Sequence, residues 1–342
     1  MIRVGIPQAL LYYQYYPMWQ AFFRALGAEV VVSPPTARPT VEAGLARMVA
    51  ETCLPVKVYG GHVCHLRELG VDCIFIPAIR ATEPGLFNCS KFLGLPDLIR
   101  ATVADSPPLL EIDIDVGQGR GALQRAIYHL GRPFTWNPLH IRKAALAAWE
   151  AHLGFQTLMR ERKITPPEAI EGSGGHTLDS RCLADTGSLV IAVVGHPYCL
   201  YDSYINHDLL GRLRRMGVRV ITPEMAPAQG LEMGIRRLAR FKYWVYEAEV
   251  TGAAGHYLED PAVDGVIAVV VFGCGPDSTM LDVVQRAARR QEKPYMGLVL
   301  DEHTGEAGLV TRLEAFVDMI ARRKSARGPR AAVSMEKARE CA

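Results

Sequence analysis

The chain has 342 residues, of which 49% are hydrophobic and 22% are charged, and its formal net charge is +2. These values fit a globular protein with room for two ordinary domains, and the net charge gives no indication of a nucleic-acid partner. No apolar run reaches membrane-spanning length, so we expect no membrane-spanning segment. Because the N-terminus enters a strand-like segment without a signal peptide or anchor, we expect a cytoplasmic protein whose eight cysteines are thiols, nucleophiles or metal ligands rather than disulfides.

The first part of the chain alternates between predicted strands and helices. Short apolar runs rich in β-branched residues predict strands at 2–7, 28–33, 71–77 and 109–116. Apolar residues at helical spacing predict helices at 10–26, 40–52, 56–69 and 121–130, and the stretch 78–95 is irregular. Alternation of this kind is typical of a doubly wound parallel sheet.

A long helical pattern at 138–162 and a polar, glycine-rich stretch at 164–188 interrupt this alternation. We therefore expect an N-terminal α/β domain at 1–140, a long helix and linker at 141–187, a C-terminal α/β domain at 188–326 and a flexible tail at 327–342.

The second part repeats the plan of the first. Strands are predicted at 189–195, 218–222, 266–272 and 295–300, and helices at 208–216, 231–241, 242–255, 280–288 and 308–323. The predicted fold class is therefore α/β, with two flavodoxin-like, doubly wound parallel-sheet domains and a cleft between them.

The segment VDGVIAVVVFGCGPDS, at 263–278, carries the clearest site signal. An apolar run of strand length at 266–272 is followed by Gly273 and Cys274, and then by a helix with Asp277 or Ser278 as its cap. Cys274 is therefore expected at the carboxyl end of a sheet strand, where open α/β sheets bind ligands. A ligand or nucleophile role and a buried structural role both stay open on this pattern alone.

Two further cysteines share this setting. Cys53 stands where one helix ends and Pro55 begins another, with Lys57 one turn later, and Cys89 lies in a loop beside Lys91. A helix N-terminus and a nearby lysine both lower the pKa of a thiol. Three thiolates that converge on one cleft suit an iron–sulfur cluster, and on ligand type alone they suit zinc nearly as well, although no CxxC pair is present.

The other cysteines offer weaker signals. Cys73 fits core packing within a strand, and Cys64 lies on a helix between His62 and His65 without the rest of a zinc pattern. Cys199 follows a strand, so its position alone does not exclude a role in a site. The remaining two, Cys182 and Cys341, are expected to be inert in a loop and in the tail.

Three other side chains are candidate catalytic groups. His196 follows the strand at 189–195, and Glu302 and His303 follow the strand at 295–300. All three are expected to face the same carboxyl-end cleft as Cys274, as acid/base groups or as a non-cysteine metal ligand. Hydrogen bonding that stiffens their loops is the alternative. No glycine-rich phosphate loop is present, so any ATP-driven step requires another protein.

Several motifs together resemble one family. They are ETCLPVK at 51–57, KFLGLPD at 91–97, GHPY at 195–198, FGCGPDS at 272–278 and DEHT at 301–304. The resemblance, which runs from about residue 1 to 325, is to the acyl-CoA dehydratase activase-related family within the 2-hydroxyacyl-CoA dehydratase superfamily. The chain departs from the family pattern at Ser90, where proline is frequent. In larger fused members this module follows activator domains, and here we expect it to stand alone.

The resemblance implies two flavodoxin-like domains with an iron–sulfur cluster between them, held by Cys53, Cys89 and Cys274. It implies a [4Fe–4S] cluster rather than a double-cubane [8Fe–9S] cluster, which needs more ligands. It further implies that a separate ATP-hydrolysing iron–sulfur activator supplies low-potential electrons for reduction or dehydration of a small or CoA-linked substrate. A second copy of the chain is a further expected partner. A non-catalytic electron relay or scaffold and a zinc-binding structural protein remain the alternatives.

Overall fold

The computed structural model describes residues 1–173, 189–239 and 244–340, with backbone only at 173, 246–247 and 327–340. Part of the predicted linker, with Cys182, and Cys341 lie outside the described residues. We refer to 1–173 as the N-terminal half and to 189–340 as the C-terminal half. The domain boundaries given above stay predictions.

Each half contains one parallel sheet of four strands. The strands of the first sheet are β1 (Arg3–Ile6), β2 (Glu29–Val32), β3 (Cys73–Ala81) and β4 (Leu109–Asp115). The strands of the second are β5 (Leu189–Gly195), β6 (Val218–Ile221), β7 (Gly265–Val271) and β8 (Tyr295–Leu300).

The two sheets have the same strand order, β2-β1-β3-β4 and β6-β5-β7-β8. In register, Val4 pairs with Val30 on one side and with Cys73 on the other. This is the start of the flavodoxin-like order, so the predicted fold class is confirmed. In such a sheet the strand order reverses between the first and third strands, and a crevice opens beyond their carboxyl ends. Each half therefore presents one such crevice.

Helices cover both sheets. In the N-terminal half they are α1 (Tyr12–Ala25), α2 (Arg38–Arg47), α3 (Leu54–Glu68), α4 (Ser90–Leu93), α5 (Leu95–Thr102), α6 (Arg120–Gly131), α7 (Pro138–Arg162) and α8 (Pro166–Ser173). In the C-terminal half they are α9 (Pro197–Leu200), α10 (Leu209–Arg215), α11 (Ala228–Leu238), α12 (Val245–Glu259), α13 (Gly275–Arg290) and α14 (Glu306–Glu340). Of these described helices, none combines the length and the apolar character that crossing a bilayer requires.

The central strands form the core because their sequences are apolar without interruption. Every residue of β5 (LVIAVVG) and of β7 (GVIAVVV) is buried, as expected for strands covered by helices on both faces. One apolar cluster extends from Ile74 and Ile76 of β3 to Ile191 of β5 and Ile267 of β7. The two halves thus share a continuous apolar core.

Candidate functional site

The three candidate cysteines occupy equivalent local positions. Cys53, Cys89 and Cys274 are each the residue directly before the first residue of a helix, at α3, α4 and α13. The Cys53 carbonyl accepts a hydrogen bond from Val56 N–H at 3.1 Å, so the chain turns into the helix at the cysteine itself. The sequence predicted this setting at all three positions.

The backbone before Cys274 depends on glycine. Gly273 has φ +80°, in the left-handed region that disfavours side chains, and it turns the chain from β7 into α13. The helix begins at Gly275, directly after the cysteine, rather than near residue 280 as predicted. Asp277 is therefore in the first turn of the helix and not its cap.

The three cysteines line one cavity between the two halves. Its volume is about 90 Å³, and Cys53, Cys89 and Cys274 all contribute to its wall. Lys91, Asn88, His196, Tyr198 and Trp244 are among the other lining residues. The cavity lies where the carboxyl ends of the two sheets face each other, as the strand-order argument requires.

Burial has the largest effect on the pKa values of Cys53 and Cys274. Burial raises the pKa of Cys53, while the Val56 N–H and the Lys91 ammonium oppose the rise. For Cys274, burial and the nearby Asp277 carboxylate raise the pKa to about 12. The predicted lowering by a helix N-terminus is therefore wrong for both thiols, because loss of hydration outweighs the helix. A bound metal ion is what would convert such thiols to thiolates.

Cys274 also belongs to a second group of potential metal ligands, together with His196 and Asp277. One ligand atom each of His196, Cys274 and Asp277 lies within 4.8 Å of the others. Nε2 of His196 is 2.7 Å from Oδ1 of Asp277, and the Tyr198 ring stacks on the imidazole at 5.1 Å between centroids. The Asp277 carboxylate is 1% exposed and lies beside both the His196 imidazole and the Cys274 thiol. A buried carboxylate in this state is suited to a cation or a donor ligand.

Asn88 is a site residue that sequence reasoning missed. Its side chain is 7% exposed, and neither the amide nitrogen nor the amide oxygen has a partner among the described residues. Because Asn88 lines the cavity, the amide is available to a bound group. The only signal in the sequence was its position directly before Cys89.

Glu302 and His303 do not line the cavity. Glu302 accepts a hydrogen bond from Lys57 Nζ at 2.7 Å, and this bond lowers the pKa of the carboxyl group. His303 is exposed, and its backbone N–H donates to Asp301 Oδ1 at 3.0 Å. Of the three predicted catalytic side chains, only His196 meets the cysteines, and the roles of the other two stay predictions.

The remaining described cysteines do not line the cavity. Cys64 is buried within α3, and burial raises the pKa of its thiol. Cys73 begins β3, where burial raises its pKa to about 11. Cys199 is fully buried, and burial holds its thiol pKa far above the usual value. These positions fit packing roles.

The residue types at the cavity suit thiolate coordination. The cavity is lined by three cysteine thiols, the Asn88 amide, Lys91 and His196, and Asp277 lies directly behind His196 and Cys274. Thiolates hold iron–sulfur clusters and zinc, and the buried amide N–H is a donor of the kind that tunes cluster sulfurs. The donor set therefore fits either group.

Residues 3–226 match the protein family described as "CoA enzyme activase uncharacterised domain". The chain belongs to this family. The matched range holds Cys53, Cys89 and His196, while Cys274 lies beyond its end. The description links this CoA enzyme activase family, in coarse terms, to acyl-CoA dehydratase systems.

Other comparisons add little. No curated protein matches the chain. A UDP co-structure of MnaA from S. aureus is 10% identical with a TM-score of 0.22, covering 93% of this chain and 88% of that one. The C-terminal domain of glucosamine-fructose-6-phosphate aminotransferase from Francisella tularensis is 10% identical with a TM-score of 0.19, covering 93% and 84%. Similarity at this level supports no statement about fold or function.

Proposed function

We propose that this protein binds an iron–sulfur cluster through Cys53, Cys89 and Cys274 and uses it to pass low-potential electrons to a substrate. The observation that carries the proposal is the convergence of three helix-capping cysteines, far apart in sequence, on one cavity between two sheets. A single [4Fe–4S] cluster fits three cysteines better than a double-cubane cluster does. The substrate is a small molecule or an acyl-CoA, to be reduced or dehydrated.

The surrounding side chains have defined roles in this proposal. The cluster supplies electron transfer and, at an iron atom without a protein ligand, Lewis acidity. The Asn88 amide donates a hydrogen bond into the cavity, and the Lys91 ammonium offsets part of the negative charge of the thiolates. Nε2 of His196, oriented by Asp277 at 2.7 Å, holds a proton near Cys274.

The proposal includes an ATP-hydrolysing iron–sulfur activator as the electron donor. The description of the family as a CoA enzyme activase domain supports this partner. The sequence itself offers no phosphate-binding loop of either common type, so hydrolysis of ATP is assigned to the partner. A second copy of the chain is also proposed as a partner.

Substitution of single cysteines tests the ligand set. We expect anaerobically purified protein to be brown, with about four iron and four sulfide per chain, as one cubane cluster requires. Cys53→Ala, Cys89→Ala and Cys274→Ala should each lose most of the iron, because a cube bound through two remaining thiolates is poorly held. Iron and acid-labile sulfide analysis measures the loss.

Cys64→Ala and Cys73→Ala are the matched controls. Each removes a thiol from the N-terminal half, which also holds Cys53 and Cys89, and neither residue lines the cavity. They should keep their iron. Loss of iron from these controls, with full retention in Cys89→Ala, would contradict the ligand assignment.

A zinc site is the second candidate. The mixed nitrogen, sulfur and oxygen set of His196, Cys274 and Asp277 favours it. Colourless protein with one zinc per chain, lost in His196→Ala, would support zinc and exclude the cluster. An electron relay without substrate is the third candidate, favoured by the small cavity of about 90 Å³. A cluster that binds no added acyl-CoA, as judged by its electron paramagnetic resonance spectrum, would support the relay.

A further inference from the structure

A second and much larger cavity lies in the N-terminal half, apart from the cysteines. Its volume is about 640 Å³, within the range of small-molecule sites. Strands β3 and β4 form its floor, and helices α1, α6 and α7 form its walls. None of its lining residues belongs to the cavity of the candidate site.

The lining is apolar with one polar end. Aromatic rings of Tyr15, Trp19, Phe22 and Trp149 face aliphatic side chains from β4 and α6. Thr82, Glu83, His152 and Gln156 supply polar atoms, and no lysine or arginine of the described ranges lines the space. A carboxylate or phosphate would meet Glu83 without a compensating cation, so the lining disfavours anions, including the phosphates of coenzyme A.

His152 gives the cavity a directional polar group. The residue is 7% exposed, and its Nδ1 is buried without a hydrogen-bond partner among the described residues. The ring lies between Tyr15, at 5.4 Å, and Trp149, at 5.5 Å between centroids. Burial lowers the pKa of this imidazole, so the ring is neutral and Nδ1 can donate or accept one hydrogen bond.

We propose that this cavity binds an uncharged, mainly aromatic molecule with one hydroxyl or carbonyl group, which hydrogen-bonds to Nδ1 of His152. Buried polar atoms in proteins are normally satisfied, and the bound group satisfies this one. The site is independent of the proposed cluster, because none of its residues is a cysteine. Its occupant touches Thr82 and Glu83, which follow β3 and lead into the loop that carries Asn88 and Cys89.

A series of three naphthalenes tests the proposal on the full chain. The environment-sensitive probe N-phenyl-1-naphthylamine is bound first and then displaced by naphthalene, 2-naphthol or 2-naphthoate. We expect 2-naphthol to displace the probe at a concentration roughly fivefold lower than naphthalene, the effect of one net hydrogen bond. We expect 2-naphthoate to be at least about tenfold weaker than 2-naphthol, because its charge is buried without a cation.

Variants locate the binding. His152→Phe replaces the imidazole by a phenyl ring and so removes Nδ1. Naphthalene should bind as before, while the higher affinity for 2-naphthol should disappear. Ala148→Trp fills the cavity, and Ala147→Trp adds the same side chain at an exposed neighbour on α7 that does not line it. Ala148→Trp should abolish displaceable probe binding, and Ala147→Trp should leave it unchanged.

The outcomes that overturn the proposal are equally direct. They are the absence of displaceable probe binding to the unmodified chain, equal affinity for 2-naphthoate and 2-naphthol, and retention of the 2-naphthol advantage in His152→Phe. The phenyl ring of His152→Phe is only slightly larger than imidazole, and the adjoining cavity of about 640 Å³ has room for it. This variant therefore tests the site even when Ala148→Trp fails to fold, which circular dichroism reports.

Discussion

His62 joins the two halves through a buried chain of hydrogen bonds. Ser33 Oγ lies 2.8 Å from Nδ1 of His62, and Thr36 Oγ1 lies 2.9 Å from Nε2. Thr36 in turn donates to Asp202 Oδ2 of the C-terminal half at 2.5 Å. Because the Thr36 proton goes to the carboxylate, Nε2–H of His62 must donate to Thr36, which fixes a neutral tautomer with Nδ1 as the acceptor.

This arrangement predicts sensitivity to acid. Burial, with a smaller effect of His65, lowers the pKa of His62 to about 3, whereas an unfolded histidine titrates near its usual value of about 6.5. The unfolded state therefore binds the proton first. The contribution of His62 to stability is complete above about pH 6.5 and is lost as the pH falls towards 3. We expect His62→Gln to flatten the fall in unfolding free energy between pH 7 and pH 4, measured with urea.

The exposed His140 supplies the control for this experiment. His140→Gln should leave the pH dependence as it is in the unmodified chain. Equal slopes for His62→Gln and the unmodified chain would contradict the assignment.

At the residue scale, the sequence predicted positions better than environments. The place of Cys53, Cys89 and Cys274 before helices follows from Gly and Pro punctuation, which is local. The pKa values of Cys53 and Cys274 depend on how deeply the folded chain buries each sulfur. The Asn88 amide has no hydrogen-bond partner among the described residues, and this depends on how the surrounding elements pack. Neither property can be predicted from the sequence, because both depend on contacts between segments that are far apart in the chain.

At the element scale, each half contains two helices that cross in backbone contact. A Cβ placed on Gly61 of α3 would lie 1.9 Å from the carbonyl oxygen of Thr40 in α2. In the second half, a Cβ on Gly234 of α11 would lie 2.0 Å from the carbonyl oxygen of Gly252 in α12. Glycine is required at both positions because a Cβ would clash with a backbone carbonyl oxygen, which cannot move aside as a flexible side chain can.

Gly61→Ala should therefore destabilise the protein by about 3 kcal/mol, as overpacking does, and should also displace α3 and the cysteine at its start. Gly154→Ala on α7 is the matched control, because no atom lies within 4 Å of its added Cβ. That substitution should stabilise the protein by about 0.5 to 1 kcal/mol through helix propensity. Urea unfolding measures both, and the two variants should change stability in opposite directions.

The long helix α7 was predicted with the bounds that the structure shows, because it combines uninterrupted periodicity with a proline at its start and no glycine near its ends. The start of α13 was predicted too late. Its first turn, Gly275-Pro276-Asp277, has no apolar periodicity, since the side chains that face the core begin with Met280.

At the scale of the whole molecule, an ion pair between a buried lysine, Lys57, and Glu302 connects the halves. The Lys57 side chain is 4% exposed and the Glu302 side chain is 23% exposed, with 2.7 Å between Nζ and Oε1. The hydrogen bond from Lys57 lowers the pKa of Glu302. Its stabilising effect is therefore present above the usual glutamate pKa and is lost as the pH falls through the lowered value.

Glu302→Leu leaves the Lys57 ammonium buried without its partner, and we expect it to reduce the free energy of unfolding by about 3 kcal/mol. Glu42→Leu breaks the exposed Arg38–Glu42 pair and should have little measurable effect. Equal effects of the two substitutions in urea unfolding would show that the contact between the halves is not a stabilising one.

The overall architecture was the most predictable feature, because strand–helix alternation and a single rule for parallel sheets determine it. The meeting of Glu302 with Lys57 rather than with Cys274 was not predictable. It depends on the relative orientation of the halves, which no local pattern encodes.

Because the two sheets have the same strand order, the elements on the two sides of the cysteine cavity correspond to each other. Cys89 and Cys274 correspond, since each stands before the helix that follows the third strand of its sheet. The counterpart of Cys53, before the second helix of the crossing pair, is Trp244, directly before α12. Trp244 also lines the cavity. Of the four corresponding positions, three therefore present a cysteine thiol to the cavity and the fourth presents an indole ring.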